Sequence, residues 1–151
     1  ASKRYFSKQD QTKIAQAVKE AEHGHVGEIQ VVIEGYIPSN VAYRQNTRLR
    51  ARQLFAELGV WDTAYNSGVL LYLNLCEQVV EIVIDRGIDQ ATEQHEWQAI
   101  CNHMVEQLKA KKYTEGVIQG VIEIGQILDQ FYDDQIEDLE NELGNAPIIL
   151  N

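Results

Sequence analysis

Four oxygen-bearing side chains, Glu28, Asp62, Asn66 and Asp85, stand where strand pairing could gather them. Glu28 opens a β-branched run, Asp62 and Asn66 lie in the turn-rich segment Trp61-Asp62-Thr63-Ala64-Tyr65-Asn66-Ser67-Gly68, and Asp85 follows a second β-rich run. If 69–75 and 79–84 form a hairpin, the start of the first strand lies beside the end of the second. The 62–68 loop then meets Asp85, Arg86 and Gly87, and parallel pairing of 28–34 with 69–75 brings Glu28 to the same edge. Carboxylate and amide oxygens converging in this way suit a hard divalent cation, Ca²⁺ first and Mg²⁺ second. Arg86 is the candidate anion-binding residue at this edge. The same side chains also have plainer roles: Asx-turns at Asp62 and Asn66, an ion pair from Asp85 to Arg86 or to an arginine of the basic helix about 41–58, and a solvated Glu28.

Other constellations carry less. His95-Glu96 begins like a zinc-protease helix, but Ala99 occupies the place of the second histidine. His23 and His25 flank Gly24 and could hold a transition metal, although histidines at a helix C-terminus more often answer the helix dipole. Arg44, Arg48 and Arg52 recur every four residues, a spacing that more often makes a solvated face than an anion site. No phosphate-binding glycine loop, nucleophile elbow or EF-hand loop is present. Cys76 and Cys101 sit in apolar runs and read as small buried thiols, and neither precedes the arginine of a cysteine phosphatase. Trp61, Trp97 and Cys101 read as core.

The elements that position these residues follow from periodicity. Ser7 with Asp10 three residues later predicts a capped helix, buried through Ile14, Ala17, Val18 and Ala21 and stopped by Gly24. Residues 28–34 predict a strand buried mostly on both faces. A second helix, about 41–58, buries Thr47, Ala51, Leu54, Phe55 and Leu58. Cys76-Glu77-Gln78 links the two runs of a hairpin. A third helix, about 92–109, is capped by Thr92, and a fourth, about 114–131, is capped by Thr114 and buries Val117, Ile118, Val121, Ile122, Gly125 and Leu128. Gly116 and Gly120 let the fourth approach a neighbour closely. Residues 133–151 form an acidic tail whose Ile148-Ile149-Leu150 can dock on the body or on a partner.

With 151 residues, 44% hydrophobic and 24% charged, the chain has the composition and length of one globular domain. Its net charge of −10 argues against a sequence-independent nucleic-acid binder, which needs clustered cations. No apolar stretch approaches the roughly 20 residues that span a bilayer, so the chain is expected to be soluble and, with its few cysteines, to work in a reducing, cytoplasmic setting. A signal cleaved upstream of Ala1 would leave the same chain. The order α-β-α-β-β-α-α predicts an α/β protein with helices on both faces of a small mixed sheet.

Residues 61–71, Trp61-Asp62-Thr63-Ala64-Tyr65-Asn66-Ser67-Gly68-Val69-Leu70-Leu71, and 80–88, Val80-Glu81-Ile82-Val83-Ile84-Asp85-Arg86-Gly87-Ile88, resemble the TPM domain family. Supporting matches are residues 27–34, 52–59 and 113–116, and the ending 141–147 is similar to the stand-alone bacterial branch. The resemblance implies a three-layer α/β/α sandwich, with residues 1–132 as the domain and 133–151 as a tail docking on it. It places the family's polar loop on Asp62 and Asn66 and its strand-end turn on Asp85 and Gly87. Family members include a plant acid phosphatase, a photosystem-repair factor, a nematode receptor modulator and bacterial calcium binders, so the family name does not certify an enzyme. Many members carry a signal peptide and a membrane segment, and Gly144 stands where related tails often have proline. The leading expectation is a calcium-binding module with a regulatory or accessory role. The alternatives are a metal-assisted phosphomonoesterase, in which Arg86 pairs with phosphoryl oxygens, and a protein-interaction module that docks through the acidic tail and the arginine-rich helix.

Overall fold

The computed structural model describes residues 4–41, 46–132 and 144–151. Helix α1 (Lys8–Glu22) starts at a reciprocal cap: Ser7 Oγ accepts from the Asp10 amide at 3.0 Å and Asp10 Oδ2 accepts from the Ser7 amide at 2.9 Å. Hydrogen bonding to Ser7 holds the Asp10 carboxyl below its ordinary pKa. Strand β1 (Glu28–Glu34) follows and is buried along its whole length.

Helix α2 (Thr47–Glu57) begins later than expected, at Asn46, whose side chain accepts from the Leu49 amide. Arg44 lies outside the described residues. Strands β2 (Gly68–Asn74) and β3 (Val79–Ile84) form the expected antiparallel hairpin. A one-turn helix α3 (Arg86–Asp89), not anticipated from the sequence, begins directly after Asp85. Two further helices, α4 (Gln94–Lys109) and α5 (Tyr113–Phe131), precede the short strand β4 (Ile148–Leu150).

Neither Thr92 nor Thr114 caps a helix. Glu93 and Glu96 form the box at α4 while Thr92 Oγ1 donates to the Ile88 carbonyl, and Lys112 precedes α5. On α5 the buried face includes Ile124, whereas Ile122 is exposed, so the apolar stripe is rotated from the expected one.

The sheet order is β3-β2-β1-β4, with β1 parallel to both β2 and β4. Odd residues of β1 and β2 (Ile29, Val31, Ile33, Val69, Leu71, Leu73) join α1, α4 and α5 in the larger core. Even residues Val32, Leu70 and Tyr72 meet Ala51 and Leu54 of α2. The result is an α/β/α sandwich in a single domain, α2 against α1, α4 and α5, with Ile88 of the one-turn α3 on the larger side. Close approach of α5 to α4 depends on Gly120, where a Cβ would run into the Met104 thioether.

β4 pairs only with Val32, Ile33 and Glu34. Below it, side chains serve the β1 edge: Glu22 Oε2 accepts from the Ile29 amide at 2.8 Å, and the Gln30 amide donates to the Val31 carbonyl at 3.2 Å. Buried backbone groups are thereby satisfied where, among the described residues, no strand reaches.

Candidate functional site

The hairpin and the parallel β1–β2 pairing bring the start of β1, the start of β2 and the end of β3 to one edge of the sheet. Glu28 is in register with Gly68, its amide donates to the Ser67 carbonyl at 3.1 Å, and the Asp85 amide donates to the Gly68 carbonyl at 3.0 Å. The loop between α2 and β2 is held from within and from below. Ser67, fully buried, donates its amide to Thr63 Oγ1 at 3.0 Å and its hydroxyl to the Val26 carbonyl at 2.7 Å. Gly68 is required because the Val60 carbonyl occupies the space of a side chain. Across the edge, a Cβ on Gly87 would lie 2.8 Å from the Asn66 carbonyl oxygen and 3.4 Å from that of Tyr65. The loop backbone therefore rests against the first turn of α3.

The candidate side chains occupy different depths. Glu28 is 2% exposed, Asp85 is half-buried, and Asp62 and Asn66 are exposed. Asp85 caps α3, its Oδ1 accepting from the Arg86 amide at 2.7 Å. Its Oδ2 is buried and accepts no hydrogen bond among the described residues. Such an orphan is costly for a carboxylate unless a cation or water answers it. Burial, followed by the charge of Asp85, raises the pKa of the Tyr132 phenol. Asn66 adopts a left-handed backbone, φ 50°, a conformation asparagine tolerates better than most residues. Among the described residues no three His, Cys, Asp or Glu side chains cluster as metal ligands. A cation here would draw its remaining oxygens from Asn66 and loop carbonyls, as Ca²⁺ commonly does.

Several expected roles change. Trp61 is 53% exposed and lies over the end of α2 with its indole N–H on the Ala56 carbonyl, whereas Trp97 and Cys101 are buried. Burial pushes the Cys101 thiol up to about 12. Cys76 is exposed because its run ends in the hairpin turn. His25 is buried: the Gly27 amide donates to Nδ1 at 3.0 Å, leaving the proton on Nε2, 2.6 Å from the Ala21 carbonyl. Both nitrogens thus tie the end of α1 to the start of β1.

A buried polar group at the opposite end of the sheet has no counterpart in the sequence reading. Glu34, 1% exposed, takes a two-pronged ion pair from Arg50 of α2 at 3.0 and 2.7 Å and a hydrogen bond from the Tyr72 hydroxyl at 2.7 Å. Asn74 donates to that hydroxyl at 3.0 Å. Burial, chiefly, drives the Tyr72 pKa upward, so the phenol remains a donor. The available signal was Arg50 beside Ala51 and one turn before Leu54, a cation on the apolar side of α2.

The fold and edge define a small α/β domain with a mixed four-stranded sheet. The TPM domain model matches residues 2–127, and the chain belongs to that family. The structure is similar to the BA42 protein of the psychrophilic bacterium Bizionia argentinensis, with a TM-score of 0.79, 24% identity, and coverage of 95% of this chain and 94% of that one. It is also similar to the N-terminal domain of a P. gingivalis protein (TM-score 0.68, 21% identity, 83% of this chain and 77% of that one). A third is the N-terminal domain of the cg2496 protein of Corynebacterium glutamicum (TM-score 0.60, 13% identity, 95% and 80%). No curated protein matches the chain. Among the described residues no helix is long and apolar enough to cross a membrane.

Proposed function

We propose that this TPM domain is a divalent-cation-binding module, best suited to Ca²⁺, with Asp85, Glu28, Asp62 and Asn66 around the loop edge. The observation that carries the reading is Asp85 Oδ2, buried without a hydrogen-bond partner among the described residues beside a loop held against Gly87. A hard cation would answer that oxygen and reduce repulsion among the carboxylates. Asp62 and Asn66, exposed at the rim, would supply oxygens as the loop tightens. Binding would order the segment that carries Trp61, and a regulatory role would operate through that surface.

An amide NMR titration of the metal-stripped protein with Ca²⁺ and then Mg²⁺ tests this directly. Saturable shifts on residues 61–68 and 85–88, weakened in Asp62→Asn and Asp85→Asn, are expected. Absence of localised shifts up to millimolar Ca²⁺ would overturn the reading.

A further inference from the structure

Strand β3 is the outer strand on its side of the sheet. Alongside it runs a groove of about 320 Å³ lined by Ile82, Ile84 and Trp97 and by Arg48 and Arg52 of α2 and Arg86 of α3. The Arg48 guanidinium donates to the Ile82 carbonyl, standing where a neighbouring strand would place its N–H, and lies 3.9 Å from Glu81. Among the described residues Arg52 and Arg86 have no ion-pair partner within 4 Å. Asp89 is the carboxylate within the lining. In a chain of net charge −10, this is a local reversal of sign.

We infer that the groove along β3 binds an extended acidic peptide segment of a partner protein, its carboxylates paired with Arg52, Arg86 and Arg48. The cations are carried by two separate elements, Arg48 and Arg52 by α2 and Arg86 by α3. Arg48 is anchored at the level of Ile82, Arg52 lies one helical turn further, about 5.4 Å along α2, and Arg86 stands on α3, two residues past the end of β3 at Ile84. A compact oxyanion reaches one or two such groups, whereas side chains on one face of an extended peptide, roughly 7 Å apart, reach all three. Because Arg48 already occupies the Ile82 carbonyl that an added strand would use, recognition rests on side-chain charge pairing. This inference is independent of the cation reading.

The probe is a fluorescein-labelled peptide alternating glutamate with valine, titrated in EDTA so that the Asp85 edge makes no contribution. Saturable anisotropy is expected, with amide shifts at Ile82, Ile84 and Arg86 and at the Trp97 indole. Arg52→Gln/Arg86→Gln, two exposed positions, should weaken binding about tenfold or more with an unchanged thermal midpoint. Equal binding of the glutamine-for-glutamate peptide, no saturation, or shifts elsewhere would overturn the inference. So would inorganic phosphate producing the same shifts where the peptide does not, which marks a point-anion site. Shifts in this groove that grow with protein concentration alone would assign the face to a second copy of the chain and would likewise overturn it.

Discussion

Along β1 the odd residues Ile29, Val31 and Ile33 enter an all-apolar core beneath three helices, while Glu28, Gln30 and Glu34 alternate with them on the side of α2. Both sides are buried, yet they are held by different forces. The odd face gains from apolar area removed from water and tolerates approximate partners. The even face gains little from its ion pair until every donor and acceptor is placed, and it loses heavily if one partner is removed. One lone helix covers a face that is half polar; three helices cover the face that is wholly apolar.

The largest expected effect breaks the even face. Arg50→Met leaves the Glu34 carboxylate without its cation and should cost about 3–5 kcal/mol in urea unfolding. Adding Glu34→Leu to that variant should recover much of the loss, because no charge then remains uncompensated. On the odd face, Leu71→Ala should cost about 2–5 kcal/mol through a cavity, and no second substitution at a polar site should rescue it.

Tyr72→Phe sharpens the contrast: it removes one donor to Glu34 and the acceptor of Asn74, a loss of about 1.5–3 kcal/mol, with the ring packing against α2 retained. Ser7→Ala, remote from both faces, should cost about 1 kcal/mol.

The same cap has an acid signature. Asp10 has a folded pKa below its ordinary 3.8, so its contribution is fully present above that value and is lost as pH falls through the folded value. Asp10→Asn should flatten the stability profile as pH falls below 3.8, as read by denaturation midpoints.

Much of the architecture was legible locally. The Ser7–Asp10 box and the hairpin around Cys76-Glu77-Gln78 follow from residues a few positions apart, the parallel pairing of β1 with β2 is one supposition the sequence leaves open, and the structure contains each. The proposed edge was legible only as backbone proximity: Glu28, Gly68 and Asp85 share hydrogen-bonded register, but side-chain depth was not visible. Trp61 misled because aromatic size suggests burial, whereas its indole has one carbonyl to satisfy and finds it at the surface end of α2.

By itself the sequence determined most of the helices and strands, the β2–β3 hairpin, and that one domain results, because caps, turns and apolar periodicity act over short separations. Only the tertiary structure decided that Arg50 meets Glu34 and Tyr72, sixteen and thirty-eight positions being the separations from Glu34. It also decided that arginines of α2 and α3 line one groove beside β3. A charged side chain chooses its partner by what else is desolvated around it, and that environment exists only once distant segments have packed.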